Sequence, residues 1–241
     1  MHLSPRQFRA LADEADELHR AGMATFAEET AELHLGAARA SRRRFLGGAG
    51  LAGVGLAAAP VVLARGRVAT ASAPALDDQT IAGYAQGVEL AAVAAYTAAA
   101  AALTSATLPV AEMFMGHHQQ HADAFGAVAG DKAASGPNQK LVTALTPALQ
   151  AVTDEMSALE LAFTLENQAA YTYAAALTLL QDPAYAAATS TILPIEAQHA
   201  VVLGLALGRS VADVFPTGAF ESASLGDGTD PLAGLDPAVF A

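Results

Sequence analysis

Two stretches, His118-Gln119-Gln120-His121 and Glu196-Ala197-Gln198-His199, decide how this chain is read. Each sets two metal-ligand side chains three residues apart, which on a helix puts them on nearly one face within one turn. Upstream of each lies a glutamate in an otherwise apolar helical run, followed seven residues later by a tyrosine: Glu89 with Tyr96, Glu166 with Tyr173. The glutamates are 77 residues apart and the motif-ending histidines 78, so the chain carries an internal repeat. Carboxylates on apolar faces are costly to bury unless a partner, often a metal, compensates them.

Working outward, apolar residues recur with helical period around all four markers, and 53% of the chain is hydrophobic. The first helix is expected to start near Asp77 or Asp78 and reach about Leu103. The second starts around Pro109 and ends by Gly130. After a loop with Gly136 and Pro137 comes a short helical piece broken near Pro147. The third helix starts near Thr153 and ends before Asp182-Pro183; the fourth runs on to Gly208 with a kink expected at Pro194. Short links make each pair antiparallel, whereas the link between the second and third helices can cross the length of the bundle. The fold expected is all-α, a four-helix bundle of two antiparallel hairpins with one long crossover.

Hairpin register brings the markers together. In an antiparallel pair, residues at one height have numbers that total twice the number at the loop midpoint. For the first hairpin that total is about 211, and Glu89 with His121 gives 210. For the second it is about 365, and Glu166 with His199 gives 365. His118 and Glu196 lie one turn from these histidines, so six candidate ligands converge at mid-height: Glu89, His118, His121, Glu166, Glu196 and His199.

The N-terminal third reads differently. Ser41-Arg42-Arg43-Arg44-Phe45-Leu46 resembles the twin-arginine export signal, and an uncharged Gly/Ala-rich run follows from Phe45 to Ala64. Ala69-Thr70-Ala71 offers a small-residue cleavage site before Ser72. The competing reading is an uncleaved membrane anchor, which five glycines and Pro60 make a poor span. Residues 1–40 form a polar amphipathic stretch with Leu11, Leu18, Phe26 and Leu33 on roughly one face. They are either a genuine extension or the product of a start placed ahead of Met23. The expected organisation is residues 1–40 as extension, 41–71 as signal, 72–208 as bundle and 209–241 as a surface tail. The localisation expected is export to the periplasm, cell envelope or exterior, with the twin-arginine translocase and signal peptidase as partners. The chain has no cysteine, so thiolate ligation and disulfides are excluded. Residues 72–241 carry three basic against seventeen acidic side chains, which argues against nucleic-acid binding. A homo-oligomer stays open.

The segment from Leu165 to Gly208, with Glu166-Asn167-Gln168-Ala169-Ala170-Tyr171, Ile192-Leu193-Pro194-Ile195-Glu196-Ala197-Gln198-His199 and Leu205-Ala206-Leu207-Gly208, resembles the second half of exported ferritin-like domain proteins. Gly87-Val88-Glu89 to His121-Ala122-Asp123-Ala124-Phe125 resembles their first half more loosely, and the resemblance covers about residues 78–208. In ferritin-like dinuclear carboxylate proteins two helices each give a Glu and the other two each give Glu-x-x-His. The resemblance implies Glu89 and Glu166 as terminal carboxylates, His121 and His199 as nitrogen ligands, and Glu196 as a bridge between two ions. His118 departs from it, standing where a second bridging glutamate is expected. The implied cofactor is one or two ions of iron or another transition metal, with no organic cofactor, and the implied activity is of ferroxidase or oxidase type.

Blander readings stand beside these. Glu89 with His121 and Glu166 with His199 also suit buried ion pairs that hold the bundle in register without metal. On that reading the protein is a metal-free bundle with a stress or interaction role in the cell envelope. His117, four residues before His121, offers a seventh ligand, but reads rather as a partly exposed or outer residue, since its direction diverges from that of His118 by about 100°. Tyr96 and Tyr173 suit core packing with satisfied hydroxyls, or else hydrogen bonding or electron transfer around the centre. An enzyme oxidising a separate substrate would need a pocket beside the centre.

Overall fold

A computed structural model of the protein describes residues 3–47 and 77–214. Among them every regular element is helical. Helices α1 (Pro5–Gly47), α2 (Asp78–Ala99), α3 (Leu108–Ala129), α4 (Gln139–Gln150), α5 (Glu155–Leu177), α6 (Pro183–Ala206) and α7 (Val211–Val214) follow in that order.

Helix starts follow local chemistry. Asp77, Asn138, Asp154 and Asp182 each accept a bond from a first-turn backbone N–H, and Asp154 closes a capping box with Ser157. Pro109 and Pro183 sit in first turns, where a missing N–H costs nothing. Pro147 and Pro194 lie within α4 and α6. The expected break at Pro147 does not occur: α4 continues to Gln150, the ring removing only its own N–H bond to the preceding turn.

Helices α2 with α3, and α5 with α6, form the two antiparallel hairpins, and the crossover carrying α4 joins them along α2. The hairpins are tied at both ends. Asp78 accepts from the backbone N–H of Gln181 and Asp182 at 2.9 and 2.7 Å. At the opposite end Glu155 accepts from the backbone N–H and hydroxyl of Thr104 at 3.1 and 2.6 Å. Among the described residues the chain is an all-α four-helix bundle of ferritin-like connectivity.

A further helix lies on that bundle. Helix α1 runs along α6 and touches α3, burying Phe8, Ala12, Ala15, His19 and Phe26. These positions share one helical face. Leu18, expected on the apolar face, is 52% exposed, because the buried stripe passes through small residues and a histidine instead. Small side chains let the helices approach closely: a Cβ at Gly22 would stand 3.2 Å from the Thr191 carbonyl oxygen on α6. Residues 41–47 of the twin-arginine-like motif continue α1. The rest of the proposed signal, Ala69-Thr70-Ala71 and the tail beyond Val214 lie outside the described residues. Among the described residues no helix is long and apolar enough to cross a membrane.

Two apolar clusters fill the interior at different heights. One joins Phe8, Tyr96, Val110, Phe114, Leu159 and Val202; the other joins Phe26, Phe125, Val128, Tyr173 and Ile192. Between them, at the height of residues 117–121 and 196–199, the interior is polar.

Candidate metal centre

All six converging residues are buried: Glu89, His118, Glu166, Glu196, His121 and His199 are each at most 2% exposed. Each bundle helix delivers its share, Glu89 from α2, His118 and His121 from α3, Glu166 from α5, Glu196 and His199 from α6. The partners by register meet in space. His121 Nδ1 is 3.5 Å from Glu89 Oε1, and His199 Nδ1 is 3.2 Å from Glu166 Oε2.

His118 lies between the halves. Its Nδ1 is 2.7 Å from Glu89 Oε2 and its Nε2 is 3.1 Å from Glu166 Oε1, so one nitrogen faces each hairpin's terminal carboxylate. Glu196 is central too, with Oε1 at 2.9 Å from His121 Nδ1 and Oε2 at 3.8 Å from His199 Nδ1. Two compact groups of buried donors result: Glu89, His118, His121 and Glu196, and His118, Glu166, Glu196 and His199. They share His118 and Glu196, one residue from each motif.

The tyrosines cross over between hairpins. Tyr96 on α2 donates to Glu166 on α5, and Tyr173 on α5 donates to Glu89 on α2. Each carboxylate is thereby oriented by the opposite hairpin, a role beyond packing. Burial, together with the facing Glu166 charge for Tyr96 and the Glu89 charge for Tyr173, raises both phenols well above their usual range, so both stay protonated donors.

Protonation follows from burial against charge. Burial lowers His118, but the Glu166 and Glu196 charges and its hydrogen bonds hold it well above the ordinary histidine range. Burial likewise lowers His121, and the Glu89 charge with the close Glu196 carboxylate brings it up to about 9. For His199 the Glu166 carboxylate outweighs burial and raises it. Burial raises Glu89, yet the His121 charge and the bond from His118 leave it at about 2. Glu166 is held well below its usual value, burial being outweighed by the charges of His118 and His199. Three carboxylates thus face three imidazolium-prone rings in a water-excluded core.

Glu196 and His121 test whether a cation fits. Although 2.9 Å apart, they are misaligned for a hydrogen bond. Both oxygens of one and both ring nitrogens of the other are buried with no hydrogen-bond partner. Orphaned donors of this kind are costly, and a metal ion at the centre of each group would satisfy them. The donor set, nitrogen and carboxylate oxygen without sulfur, suits first-row transition metals. The residues present fit such an ion.

Helix α1 closes the outer side of the centre, which reading the repeat alone overlooks. His117 is buried rather than partly exposed. Its Nδ1 is 2.9 Å from His199 Nε2 and its Nε2 is 3.1 Å from Asp16 Oδ1 on α1. His19 stacks on His117 with ring centroids 3.7 Å apart, and lies 5.1 Å from the His121 ring. Burial and the neighbouring His117 push His19 down to about 2, and burial and His199 push His117 down to about 4, so both rings are neutral at ordinary pH. The usable signal was the helical phase of Asp16 and His19 relative to Phe8, Ala12, Ala15 and Phe26.

On the far side a cavity of about 90 Å³ lies among α2, α4 and α5. Val88, Leu141 and Leu165 line it, and it reaches Tyr96, His118 and Glu166.

A family model described as ferritin-like domain matches residues 71–209. No curated protein and no solved structure matches the chain significantly. The matched span holds all four bundle helices and the six buried ligand-type residues, and it covers more than half of the sequence. The chain belongs to the ferritin-like domain family.

Proposed function

We propose that this is an exported ferritin-like metal-binding protein whose core centre holds one or two transition-metal ions, iron foremost. The observation that carries the reading is the pair of overlapping buried donor groups sharing Glu196 and His118. Glu89 with His121 would serve one position and Glu166 with His199 the other, with Glu196 between them. His118 supplies a nitrogen where a second bridging carboxylate is expected, so the protein offers three negative charges to the ions rather than four. Iron bound there supplies redox chemistry with oxygen or peroxide. The chain's own part is to orient the carboxylates through Tyr96 and Tyr173, to fix His199 through His117, and to exclude water with the flanking apolar clusters. Export rests on Ser41-Arg42-Arg43-Arg44-Phe45-Leu46 and the small-residue site before Ser72.

Metal analysis of protein purified without a histidine tag tests the centre, with Glu166→Ala and His199→Ala as controls. One or two ions per chain in the wild type, and a clear loss in both variants, are expected. A content near zero in the wild type, or one unchanged in both variants, would leave the metal-free envelope bundle as the better reading. N-terminal sequencing of the exported form tests cleavage after Ala71.

The apolar cavity that reaches His118 and Glu166 favours a second reading, oxidation of a small apolar substrate held there. Leu145→Trp, which would fill that cavity, should block such an activity while leaving the metal content intact.

A further inference from the structure

Among the described residues, His19 is the one fully buried histidine whose ring makes no hydrogen bond and which lies outside the six-residue centre. It is wholly inaccessible, yet both Nδ1 and Nε2 lack any partner. A buried polar group left unpaired is costly, so something in its surroundings is expected to satisfy it. Its neighbours are of one kind. Asp16, three residues earlier on α1, and His117 on α3 each place a ligand atom so that the three donor atoms lie within 4.8 Å of one another.

We infer that Asp16, His19 and His117 form a separate site for a divalent first-row transition-metal ion at the seam between α1 and α3. The donors would be Asp16 Oδ1, His117 Nε2 and a ring nitrogen of His19.

Two nitrogens and one carboxylate are the donor set of many zinc and iron(II) sites. Ligand bonds of about 2.0–2.2 Å require donors about 3.3 Å apart in a tetrahedral arrangement. His117 Nε2 and Asp16 Oδ1 already stand 3.1 Å apart. The nearly parallel stacking of His19 on His117 means that the His19 ring must turn to aim its lone pair at a shared ion. No hydrogen bond opposes that rotation. Arg20 holds Asp16 Oδ2 at 3.0 Å, leaving Oδ1 for the inner side. Asp16 is 35% exposed, which gives an ion a path from solvent and a position for water as the fourth ligand.

The site adjoins the core centre without sharing a donor with it. His117 meets His199 through Nδ1, the nitrogen not used here, and His199 faces Glu166 through its own Nδ1. An ion on His117 Nε2 leaves that ring's proton on Nδ1, so when the core ion is held by His199 Nδ1 the two N–H groups face each other and this contact must open. Two of the three donors precede the segment read as an export signal, so cleavage after Ala71 would dismantle the site.

Equilibrium dialysis of the full chain against Zn²⁺, at matched free metal, tests this. His19→Phe keeps an aromatic ring against His117 and removes both donors; Asp16→Asn weakens the third ligand at the accessible edge. Each should bind one Zn²⁺ fewer than wild type, with circular dichroism showing the same helix content. The same count is made in a Glu89→Gln/Glu166→Gln background, where uptake by the core centre is disabled. There one Zn²⁺ should remain and should disappear on adding His19→Phe. A core centre that fails to bind metal leaves this second count unaffected, so the two proposals fail separately. Unchanged Zn²⁺ uptake on adding His19→Phe in both backgrounds would overturn the site. Should His19→Phe not fold, unchanged uptake by Asp16→Asn together with a folded His19→Gln would do the same.

Discussion

Loading the core centre with a divalent metal at pH 7 should expel protons, in a number that the structure sets. In the metal-free fold His118 is held well above its ordinary range, His121 at about 9, and His199 above its usual value. A protonated ring nitrogen cannot coordinate, so each imidazole that becomes a ligand through that nitrogen gives up its proton. At pH 7 His118 and His121 are charged, giving a release of about two protons per chain, to which the raised His199 adds. Removing the proton of His121 two pH units below its pKa opposes binding by about 3 kcal/mol, and that cost vanishes as pH approaches 9. Apparent affinity should therefore rise from pH 7 to 9 while the proton released by His121 falls from about one to about a half. Calorimetric titration with Zn²⁺ in buffers of different ionisation enthalpy gives the count directly. The site on α1 contributes nothing to it, because His19 and His117 are neutral at pH 7. His118→Gln should lower the release by about one proton. Full uptake at pH 7 with no proton release would refute the assignment of the three imidazoles as ligands.

The metal-free protein should lose stability on both sides of about pH 6.5. His121 has a folded pKa of about 9, above its unfolded value, so its contribution is complete below pH 6.5 and is lost as pH rises through 9, up to about 3 kcal/mol. Thermal melts in chelator that rise between pH 7 and 9 would contradict this. On the acid side His19 is depressed to about 2, so the unfolded chain takes up its proton first and stability falls below pH 6.5, by at most about 2 kcal/mol at pH 5. Protection of the α1 amides, measured against the intrinsic exchange rate at each pH, should fall at pH 5, and His19→Phe should abolish much of that fall. Backbone packing gives a third pair of outcomes. A Cβ at Gly83 would stand 2.0 Å from the Lys132 carbonyl oxygen, so Gly83→Ala should cost about 1–3 kcal/mol. At Gly116 in α3 a Cβ meets nothing within 4 Å, so Gly116→Ala should stabilise by about 0.5–1 kcal/mol. Denaturant midpoints that move in the same direction for both variants would refute the packing reasoning.

Much of the centre was legible because helices translate spacing into direction. Glu196 and His199, three apart, needed only a helix to share a face, and two short links were enough to set Glu89 against His121 and Glu166 against His199. Pro147 suggests a break, but a proline removes a single helical bond, and whether one bond ends a helix depends on what the rest of it packs against. For Tyr96 and Tyr173 the sequence leaves packing and hydrogen bonding side by side, since register within a hairpin says nothing about which residue of the other hairpin lies opposite. The structure shows each phenol serving the glutamate of the other half.

By itself, the sequence determined the helices, the two hairpins, the duplicated ligand pattern and its asymmetry at His118, because period and loop length act locally. Only the tertiary structure decided how the hairpins face one another, that Glu196 and His118 are common to both donor groups, and that α1 closes the outer side with Asp16 and His19. Those contacts join residues as much as 101 positions apart, as Asp16 and His117 are. Helical periodicity gives each residue a direction on its own helix but does not say which helix it will meet, and that depends on packing the whole chain.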